Sequence, residues 1–360
     1  MSVFVLIAYA VVILTGVILF LSVGVVLFHS LSTRKEQRVR TKRSHLRQCL
    51  CEYLSGAMHG EQLKAELSDS EDVLIGVVAQ LAEEVSADQR LKLALMFELY
   101  GLEYLLKREL KEISSKSWPK RMRAAGHLAF MGNREVVIAH LMAALEDEML
   151  DVRLAAAHSL ARLKVPDAVV AILNHLVAPG VWPIQRATEI ITEMGEVAIL
   201  PLLHYLTLPD GQDAGKATAI RALGLQCATD AVGPIIHHLA HSDTEVRLQS
   251  ARALGAISDI QAVPALLQAM RDHVWEVRAA AAHALGLLKD EAAVPVLTIG
   301  LGDSEWWVRF NSASALSQLG ESGIGALQNA LTHADAFVRD ISRMVLEECN
   351  LVIAEGSIPA

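Results

Sequence analysis

The sequence predicts an all-α protein: an α-solenoid of about eight repeats, preceded by a helical cap and one N-terminal transmembrane helix. A segment with a Val-Arg pair returns along the chain at a near-constant interval, which indicates stacked supersecondary units rather than one compact core. The first 33 residues carry no charged side chain, and a long uncharged run of this kind indicates a membrane helix.

The repeated segment is clearest in three consecutive copies, which begin at Asp243, His273 and Ser304. Each copy leads through Val-Arg into small residues and ends near a leucine, as expected for a helix that packs closely on its neighbours. We expect two helices per unit, called A and B, with the Val-Arg pair on helix B. Alignment on the basic residue gives eight positions that lie 30 to 33 residues apart: Arg123, Arg153, Arg186, Lys216, Arg247, Arg278, Arg309 and Arg339.

Glycines and prolines mark where the helices of each unit should end and begin. The glycines are expected to end the B helices as C-cap residues: Gly132, Gly195, Gly224, Gly255, Gly286 and Gly320. The prolines are expected near the start of the next helix, where a missing N–H costs little: Pro166, Pro201, Pro234, Pro264 and Pro295. Units three and four depart from the pattern, with Gln185 before Arg186 and Lys216 in place of arginine.

Residues 3–28 form the predicted transmembrane helix. These 26 residues lack charge, and a helix of that length spans about 39 Å, against roughly 30 Å of hydrocarbon. A cleaved signal peptide is the alternative, but it would carry basic residues before a shorter apolar core. Seven basic residues follow the span and place the repeats on the cytoplasmic side; they could also bind anionic lipid: Arg34, Lys35, Arg38, Arg40, Lys42, Arg43 and Arg47.

The remaining boundaries follow from pattern and composition. We expect a basic juxtamembrane segment at 29–47, a helical cap of about three helices at 48–114, the solenoid at 115–348 and a tail at 349–360. The cap does not fit the repeat register, as is usual for the end of a solenoid, where one flank faces water. A dedicated partner-binding subdomain is the alternative for this segment.

The acidic turn, the Val-Arg pair, the Ala-rich helix ending in Leu-Gly and the sequence Ala-Val-Pro-Ala-Leu at 262–266 resemble the short HEAT-like repeats first named for phycobilisome lyases. The resemblance covers residues 115–348 and implies a right-handed α-solenoid. With its anchor, basic stretch and helical preface, the chain is similar to bacterial membrane-anchored HEAT-repeat proteins. That resemblance implies the inner (cytoplasmic) membrane, with a single pass and cytoplasmic repeats.

The repeated basic residue is interpreted as structural. Turn carboxylates precede the B helices, and such groups can cap a helix and accept hydrogen bonds from arginines of their own or neighbouring units. A ligand-binding stripe is the alternative. The predicted ladder comprises Arg153, Arg247, Arg278, Arg309 and Arg339 with Asp243, Asp272 and Asp303.

The tryptophans are the candidate partner-binding residues. All five lie two to five residues before a repeat's basic position, at the turn that enters a B helix: Trp118, Trp182, Trp275, Trp306 and Trp307. Tryptophan is enriched at interaction hot spots, so an exposed row would suit protein recognition. The alternative is that each indole packs over its turn, with Trp306 and Trp307 the pair expected to keep an exposed member.

No catalytic motif, cofactor site or metal site is predicted, and an acidic repeat body argues against nucleic acid. His237 and His241 have helical spacing, but no glutamate or cysteine accompanies them as a zinc motif requires. We expect a non-enzymatic membrane-anchored scaffold or adaptor that binds a protein partner at the bilayer, such as a membrane enzyme complex. The alternatives are a regulatory subunit of a membrane synthase or signalling complex, and a lyase- or chaperone-like subunit acting on a modified protein.

Overall fold

A computed structural model describes residues 3–131, 134–177, 184–209 and 211–349. Every regular element in those ranges is helical. The chain divides into two units, one of Met1–Lys111 with Phe130–Arg134, the other of Glu112–Ala129 with Glu135–Ala360.

The described part of the first unit contains five helices: α1 (Val3–Ser55), α2 (Gly60–Asp69), α3 (Glu71–Glu84), α4 (Ala87–Leu99) and α5 (Glu103–Glu112). Helix α1 continues without a break through the predicted boundaries at 28 and 47. Gly56, with a φ of 83°, follows its end and lets the chain turn back into α2. The two helices are joined by fully buried leucines, Leu46 and Leu50 from α1 and Leu63 and Leu67 from α2.

The predicted anchor at 3–28 lies within α1, and most of its side chains fall outside the described residues. Among the residues that the structure does describe, no single helix is long and apolar enough to cross a membrane. The anchor therefore stays a prediction from sequence. The predicted tail at 349–360, apart from Cys349, and Trp182 also fall outside the described ranges.

The second unit alternates B and A helices along the chain. Its eight described B helices carry the repeated basic residue: α6 (Trp118–Leu128), α8 (Leu150–Arg162), α10 (Ile184–Glu193), α12 (Asp213–Leu225), α14 (Thr244–Ile257), α16 (Trp275–Leu288), α18 (Trp306–Gln318) and α20 (Ala336–Glu348). The A helices connect them: α7 (Arg134–Ala144), α9 (Ala168–Leu176), α11 (Ile199–Thr207), α13 (Val232–His238), α15 (Val263–Ala269), α17 (Val294–Gly300) and α19 (Gly320–Ala330).

Each B helix packs against the next, from α6 on α8 through to α18 on α20, and the A helices pack along them. The repeated leucines Leu223, Leu254, Leu285 and Leu316 are fully buried in this stack. This is the solenoid arrangement that the sequence period predicts, in which each unit buries its apolar face against its neighbours.

Three of the six predicted C-cap glycines have a different role. Gly224, Gly255 and Gly286 lie inside their B helices, and a Cβ on Gly255 would stand 2.8 Å from the Cβ of Ala284. They are glycines because the next B helix approaches too closely for a side chain. The left-handed residue three positions later is not glycine: Cys227, Ser258 and Lys289 have φ values of 50°, 59° and 55°.

Gly195 and Gly320 do take the left-handed conformation expected of a residue that ends a helix. Their φ values are 69° and 65°, and they lie two residues after the last residues of α10 and α18. Gly132 is outside the described residues. Sequence alone could not separate the two roles, because a glycine near a helix end satisfies either close packing or a left-handed turn.

Candidate functional site

The repeated arginine fixes the turn that precedes its own helix. In six B helices its Nη1 donates to the backbone carbonyl six residues earlier, at 2.7 to 3.0 Å. The pairs are Arg121 with Ser115, Arg153 with Asp147, Arg247 with His241, Arg278 with Asp272, Arg309 with Asp303 and Arg339 with His333. This recurring hydrogen bond explains why the basic residue always comes at nearly the same distance after the turn of its repeat.

Three of these arginines, Arg121, Arg247 and Arg278, also form an ion pair with an aspartate of the next repeat. Arg247 donates from Nε and Nη2 to Asp272 at 2.7 and 3.2 Å. Arg278 donates in the same way to Asp303, at 2.8 Å for both bonds. Planar two-bond pairs of this type combine charge with directional fit. Because Asp272 and Asp303 also precede the next arginine, the chain of contacts runs unbroken from α14 to α18.

Each bridging aspartate accepts a third hydrogen bond from its own turn. Oδ1 of Asp272 accepts from the amide of Val274 at 2.8 Å, and Oδ1 of Asp303 accepts from the amide of Glu305 at 2.9 Å. Burial by itself raises the pKa of Asp303, but hydrogen bonds from Arg278 and the Glu305 amide outweigh it and hold that pKa below its usual value. Each carboxylate is therefore an anion that joins the turn before its own B helix to the preceding B helix.

The first member of the ladder lies two residues before the position that the sequence alignment assigns. Arg121, not Arg123, donates to Asp147, at 2.6 and 2.9 Å. Arg123 instead donates to Glu112 at 2.7 Å. Arg121 and Arg123 lie in one turn of α6, and both fit the repeat interval almost equally well. Only the position of Asp147 in the structure shows which of them joins the ladder.

The other predicted ladder residues make part of the pattern. Asp243 caps α14 by accepting from the amide of Val246 at 3.0 Å. Arg153 makes the bond to the carbonyl of Asp147 at 2.8 Å. Arg309 bonds the carbonyls of Asp303 and Ser304, and its guanidinium lies 5.0 Å from the ring centroid of Phe337. It thus links its turn to an aromatic residue of the last B helix.

Three of the predicted tryptophans are the first residues of their helices: Trp118 in α6, Trp275 in α16 and Trp306 in α18. Trp118, Trp306 and Trp307 have exposed fractions of 39%, 44% and 54%, whereas Trp275 is half-buried. The structure therefore brings Trp275, Trp306 and Trp307 to neighbouring turns, with Trp118 on the first B helix of the same unit.

Trp306, Trp307 and Phe310 form what we call the aromatic cluster. Trp306 stacks on Phe310 with centroids 5.1 Å apart, and Trp307 meets Trp306 edge to face at 4.7 Å. Both geometries favour aromatic pairs and restrict the rotamers of the two indoles. Phe310 was not among the predicted residues, although its spacing of four residues from Trp306 places both on one side of a helix.

The turn that leads into the aromatic cluster is held from two sides. The side chain of Asp303 accepts from Arg278 of the preceding B helix, and its carbonyl accepts from Arg309 of its own helix. Oδ1 of Asp303 also accepts from the amide of Glu305, directly before Trp306. The exposed indoles thus stand on a fixed backbone and not on a loose loop.

A cleft of about 280 Å³ lies beside the aromatic cluster. Trp275 and Trp307 form part of its lining, with Ala279 and Ala280 of α16. Polar side chains complete the lining: Arg252, Glu276, His283 and Asn311. This volume lies just below the range of about 300–1,000 Å³ that is usual for cofactor and drug-sized ligand pockets.

The predicted membrane-surface residues divide into two groups. Arg34, Lys35, Arg38, Arg40, Lys42 and Arg43 are exposed along α1. Arg47 is half-buried and forms a two-bond pair with Glu84 of α3, with Nη1 2.9 Å from Oε1. That pairing raises the pKa of Arg47 and gives it a structural contact within the first unit.

His238 and His241, which lie beside His237, make contacts within the fold. His238 donates from Nδ1 to the carbonyl of Pro234 at 2.8 Å and stacks on His241 with ring centroids 5.8 Å apart. His241 accepts the amide hydrogen of Asp243 at Nδ1. Burial lowers the pKa of His238, and both rings have one nitrogen occupied by backbone.

The chain matches a family model described as HEAT repeats over residues 107–191, 199–286 and 263–347. These segments cover more than half of the sequence, and the protein belongs to the HEAT-repeat family. No curated protein matches the sequence.

Solved structures share the repeat architecture at low identity. Kap95p, from a study of its binding to RanGDP, is 15% identical with a TM-score of 0.49, over 88% of this chain and 50% of that chain. Human deoxyhypusine hydroxylase is 19% identical with a TM-score of 0.31, over 71% and 99%. The CpcE–CpcF phycocyanin lyase complex of Nostoc sp. PCC7120 is 20% identical with a TM-score of 0.31, over 67% and 92%. These likenesses carry no information about the function of this chain.

Proposed function

We propose that this HEAT-repeat protein is a non-enzymatic scaffold that binds a protein partner through the aromatic cluster and the adjoining cleft. The observation that carries the proposal is the exposure of Trp306 and Trp307 at the start of α18, directly after a turn that Arg278 and Arg309 hold in place. Large exposed aromatic side chains cost solubility unless a partner covers them, and anchored tryptophans supply much of the affinity of many interfaces.

The chemistry of the cleft supports a polypeptide partner. Indoles and alanines line it beside the charged groups of Arg252 and Glu276, the combination of apolar centre and polar margin found at protein interfaces. Solenoids commonly use their extended surfaces in this way.

We further propose that residues 3–28 anchor the scaffold in a bilayer, with the repeats on the side of the basic residues. The support is the uncharged run and the basic residues that follow it, six of which are exposed on α1. The partner would then be a protein at the membrane, such as a membrane enzyme complex.

Site-specific photo-crosslinking in native membranes tests the proposal. A photoreactive residue at Trp307 should yield a discrete crosslinked protein, whereas one at Ile260 should not. Ile260 is a suitable control because it is 63% exposed and lies beyond the C-terminal end of α14, at the opposite end of a B helix from the tryptophan turns. Equal products from both positions, or none from Trp307, would contradict the assignment of this surface.

A further inference from the structure

His45, Cys49 and Glu66 bring three metal-ligating atoms together in the first unit. The Nε2 atom of His45 lies 2.9 Å from Oε2 of Glu66 and 3.7 Å from Sγ of Cys49. All three ligating atoms lie within 4.8 Å of one another. Within the described ranges, no other three histidine, cysteine, aspartate or glutamate side chains bring their ligating atoms within 4.8 Å of one another.

The separations suit one tetrahedral ion. Zinc bonds of about 2.0–2.1 Å to nitrogen and oxygen and 2.3 Å to sulfur place N and O ligands about 3.3 Å apart and N and S about 3.6 Å apart. The observed 2.9 and 3.7 Å differ from these values by less than the movement of one side-chain rotamer. The third pair, the carboxylate oxygen of Glu66 and Sγ of Cys49, lies within 4.8 Å.

The three ligands stand on rigid elements. His45 and Cys49 are four residues apart on α1, so they share one face, and Glu66 faces them from α2. The adjacent buried leucines Leu46, Leu50, Leu63 and Leu67 lock the two helices together. Ligands supported by packed helices keep their geometry better than ligands on loops.

A simple surface ion pair between His45 and Glu66 does not account for the third residue. Cys49 is only 4% exposed, yet its sulfur points at the same ring nitrogen that contacts the carboxylate. A single hydrogen on Nε2 of His45 can form a well-aligned hydrogen bond with the carboxylate of Glu66 or with the sulfur of Cys49, but not with both. A divalent cation can contact the nitrogen, the oxygen and the sulfur together. Cys51, two residues further on, is exposed and outside the group.

We propose that His45, Cys49 and Glu66 form a binding site for Zn²⁺ or a similar borderline-soft divalent cation. The thiol loses its proton to solvent on binding, and the ion replaces the contact between His45 and Glu66. Three protein ligands leave a fourth position for water or for a donor from a partner, as in zinc sites with an open coordination position. The inference is independent of the proposed scaffold function.

Cobalt(II) titration of full-length, untagged protein in mild detergent tests the site. Wild-type protein should show tetrahedral ligand-field bands with a thiolate-to-cobalt charge-transfer band, saturating at one ion per chain and reversed by zinc. Cys49→Ser should abolish the charge-transfer band, and Cys51→Ser should keep it. His45→Ala and Glu66→Gln should weaken cobalt binding by at least the roughly 10–100-fold that is typical of lost outer-shell partners.

Circular dichroism separates loss of the site from loss of the fold. The expected result is a helical spectrum unchanged by Cys49→Ser while the charge-transfer band disappears. Absence of that band in the helical wild-type protein would overturn the proposal. So would its persistence in Cys49→Ser, or its loss in Cys51→Ser. A His237→Ala, His241→Ala variant with an unchanged band would exclude the other histidine group as its source.

Discussion

Arg278 and Asp303 are 25 residues apart in sequence and joined by two hydrogen bonds of 2.8 Å in the structure. Each side chain is 15% exposed. The pair connects α16 to the turn before α18, and Asp303 in turn accepts an amide hydrogen from that turn. The side chain of Asp303 therefore connects two neighbouring repeats and also bonds the backbone directly before the aromatic cluster.

Replacing Arg278 by leucine should lower stability. The variant leaves the carboxylate of Asp303 largely buried without its cation, and removing one partner of such a pair costs about 3 kcal/mol. Urea unfolding followed by circular dichroism measures the change. Arg343→Leu on the exposed side of α20 is the matched control, expected within about 0.5 kcal/mol of wild type. Equal unfolding midpoints for the two variants would show that the ladder contributes little.

The ladder carboxylates should make the repeats acid-sensitive. The pKa values of Asp147, Asp272 and Asp303 lie below their usual value in the folded state, while an unfolded aspartate titrates near about 3.9. Their stabilising effect is complete above that pH and is lost as the pH falls through the lower folded pKa values. Urea unfolding at several pH values should show stability declining below about pH 4. Asp303→Asn should be less stable at pH 7 with a shallower acid decline; an unchanged slope would count against the pairing.

Gly255→Ala should destabilise the array even though alanine favours helices. The new Cβ would stand 2.8 Å from the Cβ of Ala284 and 2.9 Å from its Cα. Overpacking against a neighbouring backbone should outweigh the gain in helix propensity and cost a net of about 1–2 kcal/mol. Lys289→Gly is the counterpart: Lys289 has a φ of 55°, so glycine there should stabilise by about 1 kcal/mol. Thermal unfolding of the two variants should move in opposite directions, and a more stable Gly255→Ala would contradict close packing.

Replacing Trp306 and Trp307 by alanine should weaken partner capture while the fold stays intact. Both indoles are exposed, and Trp307 also lines the cleft beside Trp275. Hot-spot residues of this type each contribute about 2 kcal/mol or more, so non-covalent co-purification of the partner that crosslinking at Trp307 identifies should fall at least tenfold. Ile260→Ala serves as the control, and circular dichroism checks the helices. Undiminished capture by the folded double variant would exclude the aromatic cluster as the contact.

Deleting residues 1–33 should release a soluble, helical protein. The deletion removes the uncharged run and keeps the basic residues from Arg34 onward. Fractionation with an alkaline wash should leave the full-length chain in the membrane pellet and the truncated chain in the supernatant. Persistent pelleting of the truncated chain would point to a second membrane contact. A full-length chain that the wash extracts would argue against insertion.

Periodicity predicted the helical solenoid because the same local pattern recurs with little change, and the family match agrees with that part of the fold. The sequence did not reveal which of two arginines in α6 joins the ladder, or that Gly255 serves close packing, since both depend on the position of a neighbouring helix. The sequence predicted that Trp306 or Trp307 would stay exposed, but it did not show that both would, or that Trp307 would line a cleft beside Trp275. The group of His45, Cys49 and Glu66 was missed because Glu66 comes from another helix.

The contacts that run unbroken from Arg247 through Asp272, Arg278 and Asp303 to Arg309 have a consequence for recognition. They fix the backbone beneath the exposed indoles before any partner arrives. A partner binding there does not have to order that turn, so little conformational entropy is lost at that position. Affinity at this end of the solenoid should therefore depend on how well the partner's shape fits a surface that is already set.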